Sequence, residues 1–176
     1  MWRDLRPYVA PAPLQRLGDM TSTSEEESTA RADAAATRGR VVVGVDGSAH
    51  SKLALQRAAE LAAQTGATLE PVIAWQYPAT AHTYALTDWS PERDAAETLR
   101  LALEEAFPSG VPDWVTPTVA PGPAAHALIE ASRGAELIVV GSRGHGGFAG
   151  LLLGSVSSAC SEYAHCPVLV MRATTA

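Results

Sequence analysis

The segment ELIVVGSRGHGGFAGLLLGSV, residues 136–156, decides how the rest of the chain is read. Its first part, Leu137-Ile138-Val139-Val140, is an apolar run rich in β-branched side chains, the pattern of a parallel strand buried on both faces. It stops at Gly141, and glycine recurs at 144, 146, 147, 150 and 154. Loss of side chains there lets main chain come close to another group. From Ser155 the spacing becomes helical, so a helix N-terminus with free N–H groups and small hydroxyl residues follows the loop. Such an end attracts anions.

Outward from this segment, strands and helices alternate. Residues 41–45 read as a central strand ending in the turn Asp46-Gly47. Leu53, Ala54, Leu55, Ala58, Leu61 and Ala62 then recur at helical spacing, with Ser51 expected as the cap and Gly66 as the stop. A second strand is expected over 69–75, and a polar and aromatic linker over 76–89. Ser90-Pro91 supplies an N-cap and a first-turn proline for a helix to about Phe107. Residues 115–119 read as a third strand. Pro121-Gly122-Pro123 then leads into a helix with Leu128 and Ile129 inward and Gly134 as its stop. Residues 168–171 close the series as a fifth strand. Five strands alternating with four helices require parallel pairing and right-handed crossovers, hence a doubly wound α/β layer. Ligands of such sheets bind at the carboxyl ends of the strands, where Asp46, Ala74 and Gly141 converge.

Composition narrows the choice of function. The 176 residues suit one domain, and no apolar run approaches the length needed to cross a bilayer. Residues 1–40 hold six arginines and six acids, so the net charge of −6 belongs to the remainder, with seven basic residues against thirteen acidic. This balance opposes nucleic-acid binding. Cys160 and Cys166 are too few for a disulfide scaffold and read as structural thiols in a reducing cytoplasm. Residues 1–39 combine three prolines with the polar run 21–29 and are expected to be disordered, with the folded domain over 40–174. No signal peptide is expected, and Met20 is a candidate translation start.

The spacing Gly141, two residues, Gly144, nine residues, Gly154-Ser155 resembles the G-x2-G-x9-G-[S/T] motif of the ATP-binding class of universal stress proteins. The likeness extends to Val41-Val42-Val43-Gly44-Val45-Asp46-Gly47-Ser48, to Val72-Ile73-Ala74-Trp75 and to His165-Cys166-Pro167-Val168-Leu169-Val170, and covers about residues 40–172. The resemblance implies a Rossmann-like, adenine nucleotide alpha hydrolase-like sheet of order 3-2-1-4-5. It implies ATP, with magnesium, in a site made of Gly44, Val45, Asp46, Ala74, Gly141, Ser142, Arg143, Gly144, Gly154, Ser155, Val156 and Ser157. In that site Ala74 offers backbone hydrogen bonds to the adenine edge and Gly44-Val45 flank the base. Asp46 suits a ribose hydroxyl and Arg143 a phosphate, while His145 is expected to face solvent. The resemblance further implies a homodimer through Val168, Leu169 and Val170.

Other readings stand beside this one. Glycines after a strand sometimes only make room for packing, and Asp46 also suits a turn or a helix cap. A Walker loop is absent, Gly144-x-Gly146-x-x-Ala149 follows the wrong strand for a dinucleotide fingerprint, and no G-x-S-x-G elbow occurs. With no evident general base or metal cluster, the expected activity is a regulatory, stress-response domain with slow ATP hydrolysis at most. The alternatives are an enzyme of adenylyl or phosphoryl transfer and a protein-interaction module with an unused pocket.

Overall fold

A computed structural model describes residues 39–77, 89–145 and 152–173. The expected disorder of residues 1–39 falls almost wholly outside them, as does most of the linker. The strands are β1 (Arg40–Gly44), β2 (Thr68–Trp75), β3 (Thr118–Pro121), β4 (Leu137–Gly141) and β5 (Val168–Met171). The helices are α1 (Ala49–Thr65), α2 (Pro91–Ala106), α3 (Ala124–Ala131) and α4 (Ser155–Tyr163). All neighbouring strands pair in parallel, in the order β3-β2-β1-β4-β5. This is the expected fold.

Alternation along the strands divides the interior in two. Val41 and Val43 of β1 face α1 and α2, where Leu55, Leu69, Leu99 and Leu103 pack. Val42, on the opposite face, joins Ile138, Val140, Leu128 and Cys160 beneath α3 and α4. Alanines 54, 58 and 62 bring α1 close to the sheet, and each is fully buried. Burial of a Leu or Val side chain contributes roughly 1.5–3 kcal/mol, so the two leucine- and valine-rich faces carry most of the stabilisation.

Two elements differ from expectation. Helix α1 starts three residues early, because Ser48 rather than Ser51 is its N-cap and accepts a hydrogen bond from Ser51 N–H at 3.2 Å. The third strand starts at Thr118, not Val115, which makes only an isolated bridge to Leu69. The cause lies in β2. Leu69 takes an N–H from Thr116 and gives its own to the Trp114 carbonyl. The next β2 residue facing that side is Pro71, which has no N–H for the Thr116 carbonyl, and the ladder breaks until Thr118.

Candidate functional site

Where β1 and β4 lie side by side, their chains leave in opposite directions, to β2 on one side and β5 on the other. A cavity of about 330 Å3 opens at this switch point, above the carboxyl ends of the strands. Its volume falls within the range of small-molecule sites. Eleven of the twelve site residues expected from sequence line it: Gly44, Val45, Asp46, Ala74, Gly141, Arg143, Gly144, Gly154, Ser155, Val156 and Ser157. Ser142 does not. It is buried and works through its backbone, donating to the Met171 carbonyl at 2.7 Å and accepting from Gly154 N–H at 2.8 Å. Its carbonyl also accepts from Ser157 Oγ at 3.1 Å, so one residue fixes both ends of the glycine loop.

Six lining residues were not singled out for binding from sequence: Ser51, Val72, Ala124, Leu128, Val140 and His145. Val72, Leu128 and Val140 give the cavity an apolar floor, and their side chains belong to the core under α3 and α4. Sequence gave them only the signature of ordinary core positions. His145 is exposed, as expected, but also faces the cavity.

Asp46 stands on the rim with its two oxygens differently used. Oδ1 accepts from Ser48 N–H at 2.9 Å, a turn role that sets the cap of α1. Oδ2 lies where a Cβ on Gly144 would stand. Burial pushes the carboxyl pKa up, but hydrogen bonds from Ser48 and Ser51 and the nearby His145 outweigh it and hold the group below the ordinary value. Asp46 is thus anionic at neutral pH.

The three glycines of the motif have different reasons to be glycine. A Cβ on Gly141 would meet the His50 backbone carbon at 2.9 Å and Ser51 N at 3.0 Å, so α1 itself requires that glycine. Gly144 makes room for Asp46. Among the described residues, a Cβ on Gly154 would have only ordinary neighbours at 3.6–3.8 Å, and φ is −76°. Packing accounts for the first two, and no described neighbour accounts for Gly154.

Helix ends separate along the same line. Helices α1 and α2 carry side-chain caps, from Ser48 and Ser90. Helices α3 and α4 have none, and both begin at the cavity, with Ala124 and Ser155 on its lining. Helix starts without side-chain caps, with their positive dipole ends, therefore meet the cavity from two directions. Arg143 adds a guanidinium with no ion pair to another described residue.

Ala74 brings a further backbone feature. The Val72 carbonyl takes the last β1–β2 bond, from Val45 N–H at 2.9 Å, after which β1 turns away. Alternation in a parallel ladder aims the peptide groups of Ala74 towards the same side, now the cavity.

The universal stress protein family model matches residues 37–172. The chain belongs to this family. Universal stress protein Rv2623 of Mycobacterium tuberculosis is 37% identical over 136 residues, covering 75% of this chain and 44% of the relative. The chain thus spans under half the length of the curated relatives it matches. Among solved structures, universal stress protein UspA from Lactobacillus plantarum superposes with a TM-score of 0.65 at 21% identity, covering 77% of this chain and 99% of that one. A universal stress protein solved in complex with cAMP has a TM-score of 0.60 at 28% identity and covers 77% and 98%. Among the described residues, no group of three or more His, Cys, Asp or Glu side chains could hold a metal ion, and no helix is long and apolar enough to cross a membrane.

Proposed function

We propose that this domain binds ATP in the switch-point cavity and serves as a nucleotide-dependent regulatory module of the stress response, with slow hydrolysis at most. One observation carries the reading: Gly154 is a glycine that no described neighbour requires, at the start of α4 without a side-chain cap, on the cavity lining. A side chain there would occupy space that a phosphate needs beside the helix N–H groups. In this reading the Ala74 peptide meets the adenine edge, Gly44 and Val45 flank the base, and Asp46 Oδ2 accepts from a ribose hydroxyl. Gly141, Arg143, Gly144, Ser155 and Val156 surround the phosphates, with Ser142 and Ser157 holding the loop in shape. The complex of a 28% identical universal stress protein with cAMP supports an adenine nucleotide as the ligand. Magnesium would arrive on the triphosphate.

The decisive experiment is calorimetric titration of ATP into the wild type and Gly154→Val, with mass spectrometry of any nucleotide released on denaturation. The variant is expected to fold normally and to lose at least about tenfold in affinity, roughly 1.4 kcal/mol. Unchanged affinity would sink the assignment.

The same proposal includes a cytoplasmic homodimer paired through β5. That strand lies at the sheet edge, with Val168, Leu169 and Val170 all half-buried, and an apolar edge is an invitation to pair. The unpaired cysteines favour a reducing compartment, and the acidic balance disfavours nucleic acid as a partner. Light scattering at micromolar concentration should give twice the chain mass, and Val170→Lys should reduce it to one.

A further inference from the structure

Among the described residues, three ionisable side chains line the cavity: Asp46, Arg143 and His145. Asp46 presents a problem for any ligand that carries several negative charges. Its Oδ2 reaches the glycine loop at Gly144, while Oδ1 is tied into the turn before α1, so the carboxylate cannot swing away without giving up the Ser48 hydrogen bond. An anionic group held this firmly favours a neutral sugar hydroxyl and repels a polyphosphate tail passing over Gly144.

His145 stands at the point where this repulsion has to be met. It directly follows Gly144, and its Nε2 lies 3.5 Å from where a Cβ on Gly47 would be, which sets the ring over the turn carrying Asp46. The ring has one nitrogen near the turn, and the residue is both exposed and part of the cavity lining. A donor placed there screens the Asp46 charge and offers an N–H to a phosphate oxygen. Arg143, two residues earlier and also on the lining, supplies the permanent positive charge.

We infer that His145 is a specificity-determining residue of the cavity, selecting nucleotides with a polyphosphate tail over nucleosides by offsetting Asp46 beside the glycine loop. This rests on the nucleotide reading above. Its action is confined to the charged end of the ligand. The apolar floor and the Ala74 peptide, which would hold the base, are built from other elements and stay unchanged when the imidazole is removed.

The test is titration of ATP, AMP and adenosine into full-length wild type, His145→Ala and His145→Gln. The residue is exposed, so both variants should fold with unchanged thermal midpoints. His145→Ala should weaken ATP by about tenfold, AMP by less, and adenosine by under about twofold. His145→Gln, which keeps an N–H donor, should recover part of the ATP loss. Equal losses for ATP and adenosine would mean a packing role and overturn the inference, as would an unchanged ATP affinity. Wild type that binds none of the three ligands overturns the nucleotide reading itself, a result distinct from wild type that binds ATP as tightly as His145→Ala.

Discussion

The turns after β1 and after β4 occupy neighbouring places at the same sheet rim, and they settle their backbone groups in opposite ways. After β1, Asp46 Oδ1 takes Ser48 N–H, Ser48 Oγ takes Ser51 N–H, and Ser51 Oγ gives its proton to the Ser48 carbonyl at 3.0 Å. The turn is complete without a ligand. After β4, the chain returns to Ser142 through Gly154 and Ser157, and α4 starts with no side-chain cap. Here no side chain of the N-cap residue takes the first N–H groups of the helix. One turn builds the wall of the site and the other leaves room for what the wall encloses.

The contrast is most sharply broken at the glycines. Gly141→Ala should cost about 2–3 kcal/mol in urea unfolding, because the new methyl meets the backbone of α1, whereas Gly154→Ala should stay within about 0.5 kcal/mol. Equal costs would mean that both glycines serve packing and that α4 is no special opening.

Lacking a cap, α4 holds to the domain by its buried face, and Cys160 is fully buried there. Burial pushes its thiol up to about 11 from an ordinary 9.0. The folded-state pKa is raised, so the stabilisation is intact below pH 9 and is lost as pH rises from 9 to 11. About 2 kcal/mol should disappear across that window. Chemical denaturation of wild type and Cys160→Ala at a series of pH values should show the steeper alkaline decline only in the wild type.

A smaller effect belongs to the first turn. Ser48→Ala removes the α1 cap and should lower stability by about 1 kcal/mol with ATP affinity reduced only through the slackened Asp46. Smaller again is the acid response of Asp46, whose folded pKa is lowered. Its contribution is present above the ordinary value of 3.8 and fades as pH falls through the lower folded value. Asp46→Asn should therefore differ from wild type at pH 6 and converge with it in strong acid, as followed by tryptophan fluorescence on denaturation.

The fold was legible because its signals are local and redundant: β-branched runs at β1 and β4, and Ser90-Pro91 at the start of α2, each point to a single state. The start of α1 was misread since Ser48 and Ser51 are both plausible caps, and only the Asp46 turn selects between them. The start of β3 was misread because the deciding residue, Pro71, is on another strand. In the same way the glycine loop and Asp46 announce themselves in sequence, while Val72, Leu128 and Val140 look like any core residues. That they floor a cavity depends on where α3 and α4 begin, which no local pattern encodes.

The prolines of β3 also bear on how far the sheet can grow. Inward bonds from Thr116 to Leu69 and from Gly122 to Trp75 fix the alternation, so Pro117, Val119 and Pro121 turn their peptide nitrogens to the open side. Two of these three positions have no hydrogen to donate, which leaves the β3 edge a poor template for another strand. The β5 edge carries no proline between Val168 and Met171. Extension by strand addition is therefore open at one end only. In the proposed pairing at β5, two chains would present β3 edges at both extremities, and the assembly would terminate as a pair instead of propagating into a fibre.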